Sequence, residues 1–425
     1  MTETLPAIGR RTVLLGAGAA LAAPAFVQAQ TPLEIEYWQY TFETRVRAMD
    51  ELIRGFQAAN PGVRVKHVHF PYADYRSKIS TAMAAGQAPD IVQLYYGWLG
   101  DFQRANILAP LPAAMFPAAR IESEFFPMVQ AMKREGQYWG LPTAVRSLCV
   151  FYNSRLMRAA GLDPARPPAT LDEMVEAAKA MTRRDGSGNI TQVGIGAGMD
   201  GQDQHWWREV LVRQFGGTPY SADGTQVTYT QPEGQAAFAW YMGLYTDHRV
   251  TARQFMDEPQ AAFRAQRAGM IVDGNFRIGA LERTRGLEWV VAPLPAHRNV
   301  RSNYGSYWVN GLTRQSSGAK AEAAARFMAF ITTPEAMQVW LRVTGELPAR
   351  SAAANTPENT NSPVYGPFVA GLREAVATDF VDESAQRQIM IDAQNRVLLE
   401  RQPPEQSLRV AAEAEQRLFG QHRRA

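Results

Sequence analysis

A single cysteine, Cys149, stands in 425 residues, which excludes an intramolecular disulfide framework. A chain of this length can bury cores large enough to need none. Cys149 lies in an apolar run, LCVFY at 148–152, and reads as a buried, inert thiol rather than a nucleophile. Charge of one sign is also missing. The 44 Lys+Arg and 41 Asp+Glu give +3 and are mixed along the chain, so no basic tract points to a nucleic-acid partner. No segment approaches the ~20 apolar residues that span a bilayer. Neither a GxSxG elbow nor an HExxH metal motif occurs, and the glycines of GIGAG at 194–198 lack the dinucleotide spacing. His67 and His69 share one face of a strand without further ligands nearby, and Tyr95-Tyr96 lacks the His/carboxylate set of an iron site. No cofactor, metal or catalytic residue is expected.

What is present begins at the N-terminus. Arg10 and Arg11 precede an uncharged stretch, 12–28, that Gly16, Gly18 and Pro24 interrupt, and Val27-Gln28-Ala29 follows as a cleavage site. This resembles a twin-arginine export signal. Gly9 before the pair and the missing closing Lys leave an ordinary secretory signal as the alternative. The expectation is a periplasmic protein, cleaved near Ala29, with no cysteine there to carry a lipid.

Behind the signal, strand and helix patterns alternate. LEIEYW at 33–38 has period two, a helical face runs through Val46, Met49, Leu52, Ile53 and Phe56, and Asn60-Pro61-Gly62 stops it. A second strand spans 63–70, its alternation slipping at 66–67 as a bulge would, and PDIVQL at 89–94 reads as a buried strand. This βαβ spacing predicts an α/β fold with a mostly parallel sheet. A second α/β region follows, with a strand at 144–152 and a capping box, TLDE at 170–173, opening a helix. Strands at 192–197, 270–273 and 288–292 and a helix opened by Pro232 complete it. The last third is mainly helical, with a long surface loop at 351–367.

Aromatic residues cluster outside these apolar faces: Trp38 and Tyr40, then Tyr95, Tyr96 and Trp98, then Trp206 and Trp207, then Tyr304, Tyr307 and Trp308. Three clusters fall at or just after strand ends, where open α/β sheets bind ligands. Flat rings suit the apolar C–H face of a sugar, whose hydroxyls need polar partners. Core packing is the competing reading for each ring singly, and Trp139, Trp240, Trp289 and Trp340 are assigned to core.

The residues also carry a family likeness over nearly the whole mature chain: FQAANPGVRV (56–65), DYR (74–76), AAGQAPDI (84–91), GLP (140–142), FYN (151–153), GM (269–270), DGNF (273–276), APLP (292–295), TPEA (333–336) and TGELPAR (344–350). In this order they resemble the extracellular solute-binding proteins of ABC importers, the large family capturing sugars, oligosaccharides and glycerol phosphates. The resemblance implies a two-lobed periplasmic-binding-protein fold with a hinge and an inter-lobe ligand cleft. Lobe 1 would comprise 30–145 plus about 304–347 and lobe 2 146–299 plus about 351–425, with crossings near 143–147, 296–304 and 347–350. Trp38, Gln39, Asp74, Tyr95, Tyr96, Trp98, Gly305, Ser306, Tyr307 and Trp308 would line the cleft from one side. Arg146, Trp206, Trp207, Asn275 and Phe276 would face them, with Arg350 at the last crossing.

Where many sugar-binding relatives carry Asp, this chain has Arg146, which would favour an anionic group on the solute. A slip of one residue would instead make Arg146 a lobe-to-lobe ion pair. The implied role is non-enzymatic: a monomer that captures a carbohydrate or related polar solute and delivers it to ABC permease subunits. A secreted carbohydrate-active enzyme and a periplasmic sensor with the same fold are the alternatives.

Overall fold

Two sheets divide the chain. In the computed structural model, which describes residues 32–201 and 203–423, the first sheet runs Leu347–Pro348, Leu141–Arg146, Ser306–Leu312, Ile91–Tyr95, Leu33–Tyr40, Val63–Phe70 in spatial order. Leu33–Tyr40 pairs in parallel with both Val63–Phe70 and Ile91–Tyr95, as the βαβ spacing predicts. The strands added beyond Ile91–Tyr95 are all antiparallel to their neighbours, so the sheet is mixed rather than mostly parallel. The second sheet runs Trp289–Pro293, Leu148–Asn153, Ala268–Gly274, Ile190–Gly196, Arg183–Arg184.

Arg146 ends a strand of the first sheet and Leu148 begins one of the second, with Ser147 alone between them. The chain returns between Pro293 and Ser306, and leaves the first sheet again after Pro348. Helices Glu43–Ala59, Tyr72–Ala84, Gly318–Ile331 and Pro334–Thr344 pack on the first sheet, while Leu171–Met181 and Gly366–Leu372 pack on the second. The helices Glu383–Leu398 and Pro404–Arg423 pack on each other, the latter also against Pro232–Gly243. The fold is therefore α/β and two-lobed.

Local signals explain most elements. Thr170 and Glu173 form the reciprocal capping box, an arrangement in which the cap alone contributes about 1 kcal/mol. Cys149 is fully buried in Leu148–Asn153. Two further expectations fail. Val63–Phe70 pairs residue for residue from Leu33↔Val63 to Tyr40↔Phe70 without a bulge; it is an edge strand whose second half is only partly covered, so its alternation carries less information. The stretch 351–367 is not a loop but holds helical turns Ser351–Ala354 and Pro357–Thr360. Thr356 accepts a hydrogen bond from Asn359 N and Pro357 fills the first turn, a start signal that proline content masked. The N-terminal signal lies outside the described residues, among which no helix is long and apolar enough to cross a membrane.

Candidate functional site

A cleft of about 360 Å³ opens between the two sheets. From the first lobe it is walled by the end of Leu33–Tyr40 and the following turn (Tyr40, Thr41, Phe42, Arg45), by Tyr72, and by Tyr95, Arg146, Ser306 and Trp308. Asp200, Gly201, His205, Phe276 and Arg387 face them. The carboxyl ends of the parallel strands Leu33–Tyr40 and Ile91–Tyr95 thus reach the crevice, as open α/β sheets require.

The aromatic wall centres on Trp308. Its ring lies 4.2 Å from Tyr40, 5.4 Å edge-on from Trp98, 6.0 Å from Tyr95 and 6.2 Å from Tyr72. Tyr95 and Tyr96 both hydrogen-bond the Tyr304 hydroxyl, at 2.7 and 2.9 Å, and His205 from the other lobe stacks on Tyr304 with centroids 4.1 Å apart. Together they offer a flat apolar face beside fixed hydroxyls.

Below Trp308 lies the strongest electrostatic feature. Glu346 is buried between two guanidinium groups: it is ion-paired with Arg45, and Arg146 Nη2 stands 3.1 Å from the same Oε1. Its Oε2 accepts from the Trp340 indole at 3.0 Å, and Arg45 also donates to the Tyr40 hydroxyl. Burial pushes the Glu346 carboxyl up, but Arg146, Arg45 and the indole outweigh it and hold it below the usual range. Burial pulls the Arg146 guanidinium down against Glu346 and Asp273, yet an arginine stays charged at pH 7. Arg146 also sits 4.7 Å over the Phe276 ring, and its Nη2, held by Glu346, is closed to solvent. One carboxylate therefore serves two cations, which leaves the Arg45–Arg146–Glu346 group with an excess positive charge at the cleft wall. Arg387, ion-paired with Glu383 on its own helix, adds a third from the opposite lobe.

Of the residues singled out in the sequence, the structure brings Tyr95, Arg146, Phe276, Ser306 and Trp308 to the cleft lining. Trp98 and Tyr96 stand behind them, Trp98 stacked on Phe102 and Tyr96 on Tyr307. The others are displaced for identifiable reasons. Trp38 packs on Phe70 and Gln39 is fully buried, because the crevice begins two residues later, at Tyr40. Strand alternation removes Tyr307, whose hydroxyl donates to Met128 O, and Gly305, where a Cβ would meet Met128 Sδ at 2.5 Å. Trp206 and Trp207 are core, edge-on against Trp240 and Tyr241 and against Tyr229 and Phe238. They open a π-helical turn, Trp206–Leu211, that leaves only the preceding His205 at the cleft. Asn275 is fully buried, reaching Val145 O at 3.5 Å. Asp74 is exposed in the first turn of Tyr72–Ala84. Arg350 is ion-paired with Glu124 and donates to Thr332 O, outside the cleft. Arg146 is an ion pair, but within the first lobe rather than between lobes, since Glu346 directly precedes Leu347–Pro348 of the same sheet.

Sequence reasoning missed Arg45, Glu346, His205, Tyr72 and Arg387. One signal for Arg45 was available: a cation in the first turn of a helix opposes the helix dipole and needs an external reason. Among the described residues, the trio close enough to share a metal ion is Asp101, Asp382 and His422, away from the cleft, and Asp101 is already held by Arg76 and Arg104. His67 is taken by Asp50 at 2.7 Å and His69 by the Thr41 hydroxyl at 2.9 Å.

His205 carries a pH signature. Burial first, then the charges of Arg208 and Arg387, hold its imidazole well below the usual range, so it is neutral at pH 7. The unfolded chain takes up that proton near pH 6.5 and the native chain does not. Its contribution to stability is thus complete above about pH 6.5 and is lost as pH falls from there toward the depressed native value. His67 and His297, also lowered, act in the same sense. His205→Gln should flatten the fall in urea midpoint between about pH 6.5 and 5. An unchanged slope would show that His205 does not contribute.

Solved structures share this two-lobed α/β fold. The GacH receptor of Streptomyces glaucescens, solved unliganded and with acarbose, superposes with a TM-score of 0.76 at 21% identity, covering 92% of this chain and 99% of that one. An ABC substrate-binding protein of Listeria monocytogenes in complex with cycloalternan gives 0.78 at 21%, covering 92% and 99%. The sn-glycerol-3-phosphate-binding periplasmic protein of Salmonella typhimurium is 23% identical over 358 residues, 79% of this chain and 78% of that one. Residues 51–366 match the bacterial extracellular solute-binding protein family. The chain belongs to that family, one of binding proteins rather than enzymes.

Proposed function

We propose that this protein, exported with its signal removed near Ala29, captures a carbohydrate or related polar solute bearing an anionic group. It then delivers that solute unchanged to the permease of an ABC transporter. The observation that carries the ligand class is the pair of guanidiniums, Arg45 and Arg146, sharing the single carboxylate of Glu346 beneath Trp308. A carboxylate or phosphate on the solute would answer the excess positive charge of Arg45 and Arg146, while Trp308, Tyr40 and Tyr95 stack its C–H face. The likeness to an sn-glycerol-3-phosphate-binding protein supports the anionic group, and that to a protein solved in complex with cycloalternan supports only the carbohydrate part.

The lobes would move about 146–148, 293–306 and the residues after 348. Solute contacts from Arg146 on one side and His205 and Arg387 on the other supply the differential affinity that closure needs. Taking the closed form from 1:99 to 99:1 requires about 5.5 kcal/mol.

A carbohydrate-active enzyme would need a protonated acid aimed at the substrate beside a second carboxylate. Glu346 is held ionised and Glu383 is paired with Arg387; of the carboxyls raised by burial, Asp203 turns Oδ2 to Gly198 N inside the lobe and Asp379 is paired with Arg134, and Asp200 lines the cleft without a second carboxylate among the lining residues. The decisive measurement is calorimetry of the mature protein with maltose, gluconate, glucuronate and glycerol 3-phosphate, with product analysis of each mixture. Saturable binding of an acid without product is expected. Release of a product, or binding of the neutral sugar alone, would overturn the reading.

A further inference from the structure

Ala375–Val376 pairs with Asn303–Tyr304, where the chain passes between the sheets. The residues that follow, 379–384, form a strap that three arginines of the first lobe reach in turn. Arg134, on the hairpin that precedes Leu141–Arg146, is ion-paired with Asp379. Arg104, at the end of the helix Leu99–Arg104, donates to Val381 O at 3.1 Å. Arg76, on Tyr72–Ala84, donates to the Ser384 hydroxyl at 3.4 Å. Phe380 is buried among them, its ring 5.9 Å from that of Tyr96. A Cβ on Gly97 would stand 2.8 Å from Phe380 Cδ2, so the first lobe presents bare backbone to the strap there. Asp382 and His422 come within 4.8 Å of Asp101, and Arg76 and Arg104 neutralise the like charges that meet at that point.

The other end of the strap is fixed in the second lobe. Asp382 caps Glu383–Leu398 by accepting from Ala385 N. Gln386 donates to Glu415 at 2.6 Å and accepts from Val381 N and Asp382 N at 3.0 and 3.2 Å. Phe380 also faces the His205 ring at 5.7 Å and the Arg208 guanidinium at 5.4 Å. Widening of the cleft must therefore break the arginine contacts or bend the strap. The Arg134 and Asp379 side chains are 29% and 67% exposed, so their pairing is weak and screened by salt. Weak contacts suit a fastening that has to release, whereas a buried pair would lock the lobes.

We infer that the strap is a lobe-to-lobe clasp. Arg134, Arg104 and Arg76 bias the protein toward the spacing seen here before any solute arrives, so part of the free energy of closure comes from the fold itself. The inference rests on the hinged capture reading above. Double electron–electron resonance on the mature protein without added solute tests it, with nitroxides on Lys320→Cys in the first lobe and Glu413→Cys in the second, both exposed. Buried Cys149 escapes the label. One short distance should dominate in the parent at low salt. Raising NaCl to about 1 M, Arg134→Ala and Asp379→Asn should each enlarge the longer-distance population about two- to fivefold. The exchange Arg134→Asp with Asp379→Arg should restore the parent distribution, which a merely local disturbance at either residue would not permit. Distributions unchanged in both single variants, or an exchange that restores nothing, overturn the clasp. Glycerol 3-phosphate should return the Arg134→Ala protein to the shorter distance. If it, glucuronate and maltose all fail to do so while the variants respond, capture falls and the clasp stands. If solute shifts the distance but the variants match the parent, the clasp falls and capture stands.

Discussion

Replacing Glu346 with alanine should cost the fold about 3–5 kcal/mol, the penalty for leaving buried charges uncompensated. Arg45 and Arg146 are both buried, and each would lose its carboxylate, while the Trp340 indole would lose its acceptor. Urea unfolding at pH 7 reads the loss directly, and a change under about 1 kcal/mol would mean that water or another acid replaces the carboxylate. Because the folded-state value of Glu346 is lowered, its stabilisation is present above its ordinary value near 4.5 and disappears as pH falls through the native value. Glu346→Ala should therefore show less acid destabilisation than the parent below about pH 4.5. Apolar replacement of a whole buried triad is often neutral or stabilising. A triple variant with apolar residues at 45, 146 and 346 could thus fold and still fail to bind, which would mark the triad as a device for recognition rather than stability.

The second large effect concerns binding. Arg146→Ala should weaken glycerol 3-phosphate by about 10- to 100-fold, the worth of a charge-assisted hydrogen bond in a desolvated site, and leave maltose unaffected. Arg146→Lys should not restore it, since an ammonium cannot present two parallel donors or lie flat on Phe276 at 4.7 Å. Equal loss for acid and neutral sugar would show that Arg146 shapes the cleft without reading charge. Arg350→Ala, at the Glu124 pair outside the cleft, serves as the binding control and should leave both affinities unaltered.

How far the sequence foretold this site depended on which regularity was in force. The α/β class, the capping box at Thr170 and the buried Cys149 follow from local chemistry and were legible. Where period two acts, a cluster such as 305–308 splits between faces, and only Ser306 and Trp308 reach the cleft. The phase of that split is set by partner strands, which sequence alone does not show. Trp206 and Trp207 misled because their polar neighbours suggested a loop, whereas tertiary packing buries the whole π-helical turn. Arg387 and Glu346 were invisible for another reason: chain more than a hundred residues away brings Arg387 to the cleft beside Tyr95 and sets Glu346 behind the wall against Arg146.

The lone thiol has a practical corollary. Burial pushes Cys149 well above the ordinary thiol range, so thiolate is scarce and alkylating dyes will pass it by. A cysteine introduced at Tyr72, half exposed on the rim of the cleft, could then be labelled alone on the natural background. Were the lobes to close on solute as proposed, the dye there would move from water toward the opposing wall, turning the protein into its own optical gauge.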